Sequence, residues 1–98
     1  MEKTYIPQGF QFRFSEATVV VVTPFFVDIA PTETKEDYIS TDSFSTVCEL
    51  AATPNQVLKN HLEALADELI WLQKNENSLS SSILEELHRL QRYIRIVQ

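Results

Sequence analysis

The residues that could carry chemistry in this chain are one Cys, two His and the acids near them. The sharpest spacing is Glu85-Glu86-Leu87-His88, where Glu85 and His88 stand three residues apart. A Glu-x-x-His from each of two helices, with a Glu from each of two others, holds a di-iron centre in four-helix bundles. Two copies of a helix pair would supply those helices, but the register argues against it. If Leu87 and Leu90 point into an apolar seam, Glu85 and His88 fall on the solvent side and cannot converge on a bundle axis. A zinc site needs several ligands at close quarters, whereas Cys48, His61 and His88 are scattered along the chain. We therefore expect no metal.

Nucleophilic catalysis needs a Ser, Cys or Thr with a base beside it. Cys48 lies among Val47, Leu50 and Ala51, which reads as inert packing, and neither His has a local claim on it. His61 flanks a Leu seam, a position that predicts a half-exposed side chain, and it is given no role. Gly9 is the only Gly, so no Gly-rich phosphate cradle can form. The expectation is a protein without cofactor that binds rather than catalyses.

The elements that must position these residues begin with the stretch from Thr53 to Gln98. Leu58, Leu62, Leu65, Leu69 and Leu72 recur at steps of four and three, and Ile83, Leu87, Leu90, Ile94 and Val97 repeat the rhythm. Such spacing predicts two long amphipathic helices with matched seams, joined across Lys74 to Ser78 as an αα-hairpin. Thr53, Pro54 and Gln56 have the types of an N-cap, a first helical residue and a capping box, and Ser82 with Glu85 offers a second box. A further stripe of Val57, Ala64 and Trp71 demands cover from another side.

That cover should come from residues 1–52, read as β-rich. Phe10, Phe12 and Phe14 alternate with polar residues, placing three rings on one face of a strand. Thr18 to Thr23 is apolar on both faces and reads as a central strand, after which Pro24 should impose a bend. Residues 31–37 contain no large apolar side chain and read as an exposed acidic loop, with a third strand following at Tyr38 to Thr41. Phe44 to Leu50 suits a short helical turn slightly better than a strand. The expected fold is therefore α+β: an N-terminal antiparallel sheet of two to three strands packed on a C-terminal helical hairpin (residues 53–98), in a single domain spanning 1–98.

Ninety-eight residues hide only roughly 60 to 65% of the surface of the unfolded chain, so one modest core is expected. No apolar run is long enough to cross a bilayer, the first ten residues do not resemble a signal peptide, and a single Cys fits a reducing, cytoplasmic setting. The net charge is −6, which opposes direct nucleic-acid binding unless the bases cluster. Only His88, Arg89, Arg92 and Arg95 do so, and helix-end electrostatics accounts for them.

Helix two carries apolar residues beyond its seam, namely Leu84, Tyr93 and Ile96. With the three Arg, they form the candidate partner-binding surface. The reading is a non-enzymatic protein-interaction module, a small regulator, inhibitor or immunity-type protein that dimerises through its hairpin. The alternative is an acidic protein that occupies the basic site of a nucleic-acid-binding or nuclease partner, using Glu33, Glu36, Asp37, Asp42, Glu49, Asp67 and Glu68.

Overall fold

A computed structural model describes residues 2–97 of the chain. The fold is α+β, with seven strands in two antiparallel sheets and one long helix followed by a short one. Its first half is a two-stranded ribbon broken in the middle. Strands β1 (Glu2–Ile6) and β2 (Gln11–Phe14) form one side, and β3 (Ala17–Val21) and β4 (Phe25–Pro31) return along the other. The turn at its tip places Ser15 at φ 58°.

The break has a visible cause. Pro7 follows β1, Pro24 precedes β4, and neither can donate to a ladder. Between the register pairs Ile6–Phe25 and Gln11–Val20 the ribbon bends, helped by Gly9 at φ 87°, where a side chain would be strained. Each half then recruits its own partners. The first sheet runs β1-β4-β5-β6, with β5 at Tyr38–Thr41 and β6 at Glu49–Ala51; the second runs β2-β3-β7, with β7 at Ile94–Val97.

Helix α1 (Pro54–Lys74) packs against both sheets, touching β4, β5 and β6 of one and β2 and β7 of the other. Its N-cap is made as the residue types predict, since the Gln56 amide donates to Thr53 Oγ1 at 3.1 Å with Pro54 at the first helical position. The reciprocal half of the capping box is replaced: Gln56 Nε2 donates forward to Asn60 Oδ1 at 2.8 Å. The Leu seam is the heart of the core, with Leu62, Leu65, Leu69 and Leu72 buried against Val19, Val21, Val27 and Ile29. Each Leu so buried contributes about 2 kcal/mol of transfer free energy.

The helical hairpin is overturned. A single 3₁₀ turn (Glu76–Ser78) follows α1, and α2 spans only Ser81–Gln91 before the chain becomes β7. Leu87 and Leu90 belong to the helix seam as expected, but Ile94 and Val97 sit in a strand. Leu90, Ile94 and Val97 fit a helical period, whereas Ile94-Arg95-Ile96-Val97 alternates buried and exposed in strand period, and β-branched residues pack well on a pleated surface. Pairing to β3 through Val21–Ile94 and Val19–Ile96 decides between the two. Helix α2 starts from Ser80, whose side chain makes no capping bond, so the box expected from Ser82 and Glu85 is not used.

Other expectations also change. Two to three strands become seven: the run beyond Pro24 is a strand of its own, β4, and β1, β6 and β7 form where the sequence suggests no strand, a helical turn and the end of a helix. Val57 is buried, but Trp71 is 54% exposed, so the sheets do not cover the whole of the second stripe. Phe12 and Phe14 pack on the core, while Phe10 lies before the strand and is 40% exposed. Cys48 is exposed rather than packed.

Where α1 meets α2, Glu68 and Glu86 face each other. Burial, then the charge of Glu86, a hydrogen bond with it and the charge of Asp67 together push the Glu68 carboxyl up from its ordinary value. A raised carboxyl contributes stability below the ordinary Glu value and loses it as pH rises through the raised one. Glu86→Gln should therefore raise the melting temperature near neutral pH and change it less at about pH 4, below the raised range of the Glu68 carboxyl. Equal gains at both pH values, or none near neutrality, would contradict the pairing.

Candidate functional site

Strand β5 turns Ser40 inward under α1, and α1 turns His61 toward it. Ser40 Oγ lies 2.7 Å from His61 Nδ1, and His61 Nε2 lies 2.7 Å from Asp42 Oδ2. Asp42 is held by its own loop: the Phe44 and Ser45 amides donate to Oδ1 at 2.9 and 2.7 Å, and Ser45 Oγ donates to Oδ2 at 2.7 Å. The Glu49 amide donates to Ser40 Oγ at 3.2 Å. One proton arrangement satisfies every group. With the ring proton on Nε2 donated to Asp42, Nδ1 accepts from the Ser40 hydroxyl, whose oxygen accepts from Glu49. Burial by itself would push the Asp42 carboxyl up, but its hydrogen bonds from His61, Ser45 and the Phe44 and Ser45 amides outweigh that and hold it below its ordinary value.

A Ser, a His and an Asp in hydrogen-bonded sequence have the composition of a hydrolytic triad. Access decides what this one does. Ser40 and His61 are fully buried, and the side chains of His61 and Asp42 expose no surface. A reacting carbonyl must approach within about 3 Å of the nucleophile, and here that space is filled by protein. The chain of hydrogen bonds instead ties β5, the loop after it, β6 and α1 into one unit.

His61 was expected to be half-exposed; it is part of the core, with a polar partner on each ring nitrogen. The signal was present in the sequence, because Val57, His61 and Leu65 share one helix row at steps of four, and the outer two are buried. Ser40 and Asp42 were missed as a pair of partners for it. Asp42-Ser43-Phe44-Ser45 does have the residue types of a side-chain-capped turn.

The surface exposes a different constellation. Both sheets turn one face to α1, and the outer face of the four-stranded sheet is left open. There Tyr5 is paired across strands with Phe26, their rings 5.3 Å apart, and they are 55% and 49% exposed. Next along comes a charged row, Lys3 opposite Asp28 and Asp28 opposite Thr41. A third row sets Ala30 beside Ile39 and Ile39 beside Leu50, which is 60% exposed. Lys3 Nζ lies 3.1 Å from Asp28 Oδ1, close enough for an ion pair but at an angle that makes no hydrogen bond, so that buried oxygen lacks one.

The candidate partner-binding residues are dispersed. Leu84, Tyr93 and Ile96 are half-buried and packed on the core, and Tyr93 stacks on Phe44 at 3.9 Å. Arg89 is on α2, Arg92 in the turn after it, and Arg95 on the exposed side of β7. The acidic set is split likewise: Glu33, Glu36 and Asp37 are exposed in the loop between β4 and β5, Asp67 is exposed on α1, and Asp42 is sealed inside. Glu85 and His88 face solvent. Among the described residues no three His, Cys, Asp or Glu side chains converge as metal ligands, and no helix is long and apolar enough to cross a membrane. In comparison with known proteins, the chain matches no family model, no curated sequence and no solved structure.

The buried network yields a pH dependence. A depressed carboxyl contributes stability that is complete above the ordinary Asp value of about 3.9 and is lost as pH falls through the lower folded value. Asp42→Asn should destabilise the protein by about 2 to 4 kcal/mol near neutral pH. The gap from the parent should narrow as pH drops below about 4, measured by urea unfolding across that range. A gap that is constant with pH would show that Asp42 is not held ionised by this network.

Proposed function

We propose that the protein is a non-enzymatic protein-interaction module whose contact surface is the open face of the four-stranded sheet, and that a second copy of the chain is one occupant of that face. The observation that carries the reading is the exposed Tyr5–Phe26 pair beside the charged Lys3–Asp28 row, with Ile39 and Leu50 beyond that row, on an uncovered sheet face. Single exposed apolar residues are ordinary, but apolar side chains gathered from four strands onto one open face mark a contact site.

The charged row favours a second copy. Lys3 and Asp28 are neighbours on adjacent strands, so the face carries both signs and complements itself. A two-fold axis along the strands, between β1 and β4, sets Lys3 of each copy over Asp28 of the other and Tyr5 over Phe26. A face this small favours a concentration-dependent dimer over an obligate one. The hairpin has no part in this, since its second helix ends at Gln91 and the expected seam beyond it is strand β7. The proposed module is without catalysis, a reading that the burial of the Ser40, His61 and Asp42 side chains supports.

Sedimentation equilibrium tests it. The apparent mass should rise toward twice that of the monomer with concentration. Phe26→Ser should weaken association about 10-fold or more with little change in melting temperature, since that side chain is exposed. Lys3→Asp and Asp28→Lys should each be monomeric alone and associate when mixed, because mixing restores opposite charges across the interface. Failure of the mixture to associate would remove the second copy as the occupant.

A further inference from the structure

A separate groove lies between β2 and the N-terminal half of α1. It has a volume of about 350 Å³, with Phe10 and Phe12 on the strand side and Leu58 and Leu62 on the helix side. We infer that this groove binds an extended peptide segment of a partner protein. The segment adds a strand to the free edge of β2, inserts one large apolar side chain between β2 and α1, and sets an acidic residue against Arg13 and Lys59.

The first argument is the edge. Strand β2 is outermost in its sheet and pairs only with β3, so main-chain N–H and C=O groups along its other side remain available to another strand. Natural edges are commonly blunted by Pro, bulges or inward charges, and Gln11-Phe12-Arg13-Phe14 contains no Pro or inward charge. An exposed edge beside an apolar slot is the geometry of strand addition, in which main-chain hydrogen bonds supply affinity and pockets for alternate side chains supply selectivity.

The second argument is the slot. An extended chain presents only every second side chain to one face, so one aromatic or branched residue can enter while its neighbours stay outside. Phe10 is half-exposed and its ring lies 6.2 Å from that of Phe12, which leaves an aromatic wall facing open space.

The third argument is charge. Arg13 and Lys59 stand at the rim with Glu63, a balance of +1 in a chain whose net charge is −6. Among the described residues Lys59 enters no salt bridge, and Arg13 has only a 3.4 Å contact to Thr18 Oγ1. Both cations are exposed and free to meet a carboxylate. Neutral or basic segments gain nothing from this rim.

The test uses the full chain, labelled for amide NMR, and a blocked five-residue peptide with a central phenylalanine, valines beside it and a glutamate at one end. Saturable shifts are expected at the amides of Gln11, Phe12 and Arg13 and at Leu58 and Leu62, with a Kd at or below about 1 mM. A backbone N-methylated version of the peptide should bind about 10-fold more weakly, because it cannot complete the ladder. Lys59→Glu should weaken the glutamate peptide about 3- to 10-fold and leave its glutamine counterpart nearly unchanged. Phe10→Ser should weaken both, with the remaining amide spectrum intact, since that side chain is outside the core.

Absence of shifts at about 1 mM peptide would overturn the proposal. Equal binding of the N-methylated peptide would overturn it too, as would 3-phenylpropionate reproducing the whole shift pattern; either would leave an apolar slot for small molecules. Phe26→Ser and Leu50→Ser should bind the peptide like the parent chain, so this site and the sheet face stand or fall separately.

Discussion

One helix has to be covered from several sides, and the rest of the molecule follows from that. An ordinary surface helix hides a stripe somewhat over 100° wide. Helix α1 buries Val57, His61, Leu65, Leu69 and Leu72 along one line and Leu62 and Ala66 beside it. No single sheet face of this size reaches both lines. The chain solves this by breaking its first ribbon at Pro7 and Pro24, so that one half lies against one side of α1 and the other half against the other. The C-terminal segment then fills what is left, Leu87 and Leu90 from α2 and Ile94 from β7.

Close covering brings a polar consequence. The row that buries Val57 and Leu65 also carries His61, and the strand above it turns Ser40 inward, so two polar groups meet in a place without water. An unpaired polar group there would be expensive, whereas a chain in which each donor meets an acceptor is tolerated and fixes register. Asp42 completes the chain and is itself completed by its own turn. The same order of groups as in a catalytic triad thus satisfies a buried imidazole, with the Ser40 hydroxyl engaged by the Glu49 amide and the ring.

What the sequence made legible was local. The Leu seam of α1, its Thr53 cap, the strand at Tyr38–Thr41 and the run from Thr18 were all readable from period and residue type, because each depends on neighbours a few positions away. The end of the chain was not. Leu90, Ile94 and Val97 obey a helical rhythm by coincidence, and only pairing with β3, more than seventy residues earlier, makes Ile94 and Ile96 a strand. Strand β1 was hidden by its charges, since Glu2 and Lys3 look like a solvated start until their partners on β4 are known. The open sheet face was illegible for the same reason: Tyr5, Phe26 and Leu50 are remote in sequence and become one surface only through the order β1-β4-β5-β6. His61 was different, because its row was in plain view and the misreading came from treating a polar residue beside a seam as half-exposed.

The contrast between inside and outside bears on where contacts are made. This chain seals a Ser, a His and an Asp while leaving two aromatic rings and a Leu largely in solvent. Folding alone gives no reason for that choice, since apolar area gains more from burial than polar area does. Trp71 is exposed alone on α1, but Tyr5, Phe26 and Leu50 fall on one face of the sheet that β1 edges, and the groove at Phe10 lies beside β2. Both surfaces proposed for contact thus adjoin the outer strands of the broken ribbon. The charges on these strands, Lys3 on β1 and Arg13 on β2, point outward and disfavour partners of the same sign. They leave the edges open to a partner that brings the opposite sign.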